Sequence, residues 1–236
     1  MFLRSFLALA AFAATPLPAA AACADLALVL AVDASGSIGS AEYSLQRQGY
    51  ARAFEDPGVR SALRSAGVVD VALVLWGDSE MAPQVFDWHR IAGAADLTGL
   101  TAELLYAPRM VTGNTGIGRG VMTALDLLEG HCAMRKVINV SGDGIETLAP
   151  RPRTTIPLVT ARQRAAETGV TINALAIETD HENLAAWYTD HLITGAGSFV
   201  MTADDFDDFG AAIIRKLGRE IAPPQLSAVA ATTWTF

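Results

Sequence analysis

The sequence predicts an α/β fold: a doubly wound, mostly parallel six-stranded sheet with one antiparallel edge strand and helices on both faces. Three observations predict it. Short continuous apolar runs recur along the chain, as strands covered on both faces require. Patterns of helical spacing separate these runs, and such alternation implies a parallel sheet between layers of helices. One run, Val85 to Ile91, follows its predecessor too closely for a helical crossover and is therefore antiparallel. The chain has 236 residues, 51% of them apolar, which is enough for one large domain with a full core.

The elements follow in order. Residues 1–22 read as a signal peptide: Arg4 is the positive region, Phe6 to Ala13 the apolar region, and Ala19 to Ala22 the small residues that suit cleavage. The apolar stretch is too short to span a bilayer. A domain over residues 23–222 follows, then a tail over residues 223–236 that opens on Pro223 and Pro224. The first strand is Leu26 to Val32. Ser40 is placed to cap a helix whose inner stripe includes Tyr43, Tyr50 and Phe54. Val68 to Trp76 is the second strand, and Val85 to Ile91, more alternating and carrying His89 and Arg90, is the edge strand. Ile117, Val121, Leu125 and Leu128 keep helical spacing up to Gly130. Val137 to Val140, Val170 to Ile177 and Ser198 to Met201 complete the strands. Pro157 to Thr168 and Glu182 to Leu192 are helices between them. The last helix runs from about Asp204 to Ile221, with acids at its start and Arg215, Lys216 and Arg219 at its end, as the helix dipole favours.

Composition narrows function. The formal net charge is −8 with no basic block, which argues against nucleic acid and anionic membrane as partners. Export places the chain in an oxidising compartment. Cys23 and Cys132 stand at nearly equal distances before Asp33 and Asp143, each at the head of a strand. If those strands are parallel neighbours with their aspartates level, the cysteines are level too, and a disulfide results; two separate buried thiols are the alternative.

Ligands of open parallel sheets bind at the carboxyl ends of strands. Asp33, Ser35 and Ser37 follow the first strand there, and Asp143 follows the fourth, in Ser141 to Gly144. A third loop, Val111 to Gly120, carries Thr115 close to the start of its helix. All these donors are hard oxygens, so the set suits Mg²⁺, Mn²⁺ or Ca²⁺ and not zinc. Only two are charged, so a divalent ion would be little more than neutralised and would keep water positions open to an incoming carboxylate.

The stretch Asp33 to Ser37 (DASGS) resembles the D-x-S-x-S signature of von Willebrand factor A domains and their metal-ion-dependent adhesion site. Residue by residue, Asp33, Ser35 and Ser37 match the first loop, Thr115 the loop threonine, and Asp143 the aspartate after the fourth strand. The likeness covers about Asp25 to Ile221 and implies that Rossmann-like fold. The chain further resembles an exported bacterial group of such proteins of unknown function, DUF1194, through Leu26 to Ile38, Ile138 to Gly144 and Ile213 to Ile221. It departs from that group at Ile145, Glu146 and Thr147, where asparagines are expected.

The resemblance implies a binding module: a divalent cation, Mg²⁺ by preference, grips an Asp or Glu carboxylate of a partner protein, without catalysis. The competing reading is a metal-dependent hydrolase, in which the metal activates water or Ser35 or Ser37 serves as nucleophile. Against it, there is no G-x-S-x-G motif and no histidine beside the cluster, His181 and His191 being placed at the two ends of one short helix. Nucleotide binding fares worse, because Gly116 to Gly120 fits neither phosphate-binding glycine motif. Trp76 is placed either on a recognition rim or in the core.

Overall fold

The computed structural model describes residues 23–147 and 155–224, so the segment read as a signal peptide and most of the tail lie outside it. The strands are β1 (Ala24–Asp33), β2 (Val69–Trp76), β3 (Gln84–Val85), β4 (His89–Ile91), β5 (Ala133–Gly142), β6 (Thr171–Ile177) and β7 (Val200–Ala203). The helices are α1 (Ser40–Glu55), α2 (Pro57–Ala66), α3 (Leu97–Tyr106), α4 (Ile117–Glu129), α5 (Leu158–Glu167), α6 (Leu184–His191) and α7 (Phe209–Ile221). The sheet order is β3-β2-β1-β5-β6-β7, with β4 also on β2. Neighbours from β2 through β7 are parallel. The order therefore reverses at β1, which lies between β2 and β5. Among the described residues no helix is long and apolar enough to cross a membrane.

Residue alternation along β1 builds both halves of the core. Leu26, Leu28, Leu30 and Val32 point to one face and pack with Tyr50 and Phe54 of α1, Val59 of α2, Leu100 of α3 and Ile213 of α7. Ala27, Val29 and Ala31 point to the other and pack with Val121 of α4, Ala161 of α5 and Leu184 of α6. A strand buried on both faces reads as an unbroken apolar run, as this one does.

The expected six strands are seven. The run Val85 to Ile91 is broken into β3 and β4, both antiparallel to β2. Val85 pairs with Val74 and His89 with Val71, so three residues on the edge face two on β2. That extra residue is a β-bulge, a common feature of sheet edges. Two helices escaped the sequence reading. One is α2, announced by Asp56, whose carboxylate accepts the N–H groups of Gly58 and Val59 at 2.8 and 3.2 Å, with Pro57 at the first helical position. The other is α3. Ser40 is not the cap of α1: Gly39 takes that position, and its N–H donates to Glu42 Oε2 at 2.5 Å. The last helix begins at Phe209 and not at Asp204, because Asp205 Oδ1 accepts the N–H groups of Asp207 and Asp208 in a preceding turn.

Cys23 and Cys132 are joined, at the amino end of the sheet where Ala24 lies level with Ala133. The bridge closes a separation of 109 residues. In the chain-entropy account a loop of that length contributes about 4–5 kcal/mol.

Candidate functional site

At the carboxyl end of the sheet β1 leaves its neighbours at Asp33, level with Trp76 at the end of β2. The chain then turns through Ser35 to Ser37. Asp33 is fully buried. Its Oδ1 accepts the Ser35 N–H at 2.7 Å, the bond that closes the turn. Its Oδ2 is buried and has no hydrogen-bond partner. Ser35 Oγ lies 3.2 Å from Ser37 Oγ, and Ser37 Oγ donates to Asp143 Oδ1 at 2.9 Å. Asp143, just past β5, is buried too. The two carboxylates thus end one short chain of contacts. Gly142 is required between them: a Cβ there would stand 2.9 Å from Asp33 Oδ2.

Thr115 joins from the loop before α4. A Cβ on Gly144 would lie 3.5 Å from its Oγ1, which sets the threonine beside the Asp143 turn. All five oxygen-bearing residues singled out in the sequence therefore converge at one end of the sheet.

The loops are tied by residues to which the sequence reading gave no role in the site. Arg109 donates to four carbonyls: Ala34 and Val111 from Nε at 3.0 and 3.3 Å, Ile38 from Nη1 at 2.6 Å, and Ser35 from Nη2. Gly36 N–H donates to Gly113 O at 2.7 Å, joining the Asp33 loop directly to the Thr115 loop. Gln46 of α1 donates to Asp33 O at 3.2 Å. The Ile145 to Thr147 segment braces the Thr115 loop. Thr115 N–H donates to Thr147 Oγ1 at 2.8 Å, and Thr147 N–H returns to Thr115 O at 2.9 Å. Glu146 accepts from Gly118 N–H in the first turn of α4 and from Leu158 N–H at the start of α5, at 2.8 and 2.9 Å. Tyr188 O–H donates to Gly144 O at 3.0 Å.

The electrostatics are those of a site short of positive charge. Burial first, and then the Asp143 carboxylate, push Asp33 up to about 8. Burial also raises Asp143, with Asp180 and Glu42 adding to it and the Ser37 hydrogen bond opposing. Burial and both aspartates raise Tyr188 well above the ordinary phenol value, so its hydroxyl stays a donor. Arg109 brings a positive charge, but its N–H groups are committed to carbonyls. Among the described residues no group of three or more His, Cys, Asp or Glu converges anywhere. The donor set here is two carboxylates and hydroxyls, all hard oxygens. Asp33, Ser35, Ser37, Thr115 and Asp143 could hold a divalent cation, and the orphaned Asp33 Oδ2 is the atom with most to gain from one.

The other singled-out residues lie elsewhere. Trp76 is buried in the core. Trp88 lies against His131, ring centroids 4.2 Å apart and planes tilted by 42°. His191 stacks on Trp187 at the surface, and His181 Nδ1 lies 2.9 Å from Glu182 O.

Residues 22–225 match the family described as "Protein of unknown function (DUF1194)". The chain belongs to that family. No curated protein matches it by sequence. Among solved structures, the DUF1194 chain is similar to the pilus adhesin SpaC from Lactobacillus rhamnosus GG, with a TM-score of 0.60 and 16% identity over 84% of this chain and 30% of that one. It is similar to proximal thread matrix protein 1 from the mussel byssus, determined with a zinc-occupied MIDAS motif, with a TM-score of 0.58 and 15% identity over 83% and 47% of the two chains. It is similar to the vWF domain of the type V pili tip protein Mfa5 from Porphyromonas gingivalis, with a TM-score of 0.56 and 14% identity over 88% and 99%. The DUF1194 chain thus spans less than half of the first two proteins and nearly all of the third domain. At such identities the likeness establishes the fold: a von Willebrand factor A-type α/β domain.

Proposed function

We propose that this chain is an exported binding module that holds a divalent cation on Asp33, Ser35, Ser37, Thr115 and Asp143, and through it grips an Asp or Glu carboxylate of a partner protein. One observation carries the reading: Asp33 Oδ2 is buried beside a second carboxylate and, among the described residues, no basic side chain hydrogen-bonds it, the nearby Arg109 having its N–H groups on carbonyls. Buried charges are ordinarily paired or bound to metal. Two carboxylates and neutral hydroxyls would leave the ion an appetite for one further anionic ligand. Mg²⁺ is the first choice on donor hardness, with Mn²⁺ and Ca²⁺ next. The zinc in the mussel protein's motif makes Zn²⁺ a necessary arm of any titration.

The reading is of a binding module without catalysis. What supports it is that the four histidines are placed away from Ser35 and Ser37: His89 against Glu103, His131 against Asp70, His181 and His191 against backbone carbonyls.

The test is affinity capture from the native envelope on immobilised mature protein, with Mg²⁺, with EDTA, and on Asp33→Ala. A protein retained with Mg²⁺ alone, and lost from the variant, supports metal-bridged recognition. Equal retention in all three arms overturns it.

A further inference from the structure

We propose that the cleft between α2 and β4 is a second binding site, for a small-molecule carboxylate with an aliphatic body. The cleft has a volume of about 460 Å³, within the size range of small-ligand sites. It lies at the amino end of β2, by Val68, whereas Asp33 stands at the carboxyl end of the sheet. Its floor is apolar: Leu63 of α2, Ile91 of β4 and Leu97 of α3, each less than a tenth exposed.

Its polar character is of one sign. Arg60 and Arg64 stand one turn apart on α2 and both line the cleft. Neither guanidinium has a partner among the described residues. The nearby acids do not compete for them. Asp25 Oδ2 accepts Val68 N–H at 2.8 Å, and Asp96 Oδ2 accepts the N–H groups of Ala92 and Gly93 at 2.9 and 2.8 Å. Those bonds pin the two backbone walls, so the cleft is preformed. Arg60 and Arg64 are the charged side chains that line the apolar cleft, and both are uncommitted. The guanidinium fork suits a carboxylate in two-point contact, and the floor suits an alkyl chain. The occupant that satisfies both is a fatty carboxylate of medium length.

The test is displacement of 11-(dansylamino)undecanoate, followed by fluorescence, with sodium decanoate and neutral decanol as competitors below their aggregation limits. The full mature protein is compared with Arg60→Gln/Arg64→Gln and with Ala94→Trp, which blocks the exposed mouth and leaves the floor intact. Expected is saturable probe uptake reversed by decanoate. The double glutamine variant should weaken decanoate at least about tenfold, the loss of a charge-assisted contact, while decanol competes as before. Ala94→Trp should weaken both, and Asp33→Asn neither. Absence of saturable uptake, or decanoate affinity unchanged in the double variant or in Ala94→Trp, overturns the proposal and leaves the metal-site reading untouched.

Discussion

Asp33 and Asp70 are two buried aspartates on adjacent strands, and the chain treats them in opposite ways. Asp70, near the base of β2, has Oδ2 3.2 Å from His131 Nε2 and 3.7 Å from Arg90 Nη1. Each keeps one buried oxygen without a hydrogen-bond partner, Asp70 Oδ1 and Asp33 Oδ2, but Asp33, at the tip of β1, has another carboxylate for its neighbour. Glu220 of α7 repeats the pattern of Asp70: buried, it receives Lys216 Nζ at 2.5 Å and Asn139 Nδ2 at 2.6 Å. Where a buried carboxylate is structural, the fold carries its cation within the chain: Arg90 for Asp70, beside the imidazole of His131, and Lys216 for Glu220. At the tip of β1 it gathers acids and hydroxyls and commits its arginine to carbonyls, which leaves room for a cation from outside.

The contrast can be broken from either side. The largest effect belongs to the structural end. Replacing Cys23 and Cys132 together with alanine should cost about 4–5 kcal/mol in urea unfolding and leave metal affinity unchanged; a loss of metal binding in the folded variant would mean that the two ends are coupled. Lys216→Met strands Glu220 as an uncompensated buried charge and should cost about 3–5 kcal/mol, measured the same way. A cost near zero would mean that buried carboxylates here do not need a chain-borne cation.

The Asp70 pairing should matter less. His131→Phe should cost about 1–3 kcal/mol at pH 7 by leaving a buried acceptor short of a partner. It should also flatten the acid side of the stability profile. Burial holds His131 below its ordinary range, with Lys136 and Arg90 adding and Asp70 opposing. The unfolded chain then binds more protons, so this contribution is complete above about pH 6.5 and is lost as pH falls through the lower folded value. Wild type should lose more stability than the variant between pH 7 and pH 5. The reverse order would contradict the account. The mildest test touches the site's scaffold. Arg109→Ala frees four carbonyls and should weaken metal binding about 10–100-fold at modest cost in stability, with Arg109→Lys recovering part of it. Unchanged metal affinity would reduce Arg109 to packing.

Much of this was legible in the sequence because it is written in local patterns. The unbroken run Leu26 to Val32 reads as a strand covered on both faces, and the nearly equal spacing of Cys23 and Cys132 from Asp33 and Asp143 survives as a register in which Ala24 meets Ala133 and the two aspartates are one residue out of level. The five oxygens are at strand ends and loop positions that a fold class alone brings together. Arg109, Glu146, Thr147 and Tyr188 were not legible, because their partners are mainly backbone groups in other loops, and no side-chain pattern announces a carbonyl. The departure at Ile145 to Thr147 looked like the loss of a feature, yet Glu146 and Thr147 hold two helix starts and the Thr115 loop. The bulge that splits Val85 to Ile91 is a matter of one residue of register, invisible until β2 is alongside. The start of α2 was a signal passed over: an aspartate before a proline is a helix start in plain view.

The most direct measurement is a Mn²⁺ titration followed by electron paramagnetic resonance, on wild type and Asp33→Asn, with Mg²⁺ and Zn²⁺ as competitors. The account predicts one Mn²⁺ per wild-type chain, displaced by Mg²⁺, and none on the folded variant. Wild type without bound Mn²⁺, or a variant that binds it as well, would contradict the claim that the chain leaves Asp33 to be paired by a cation from outside.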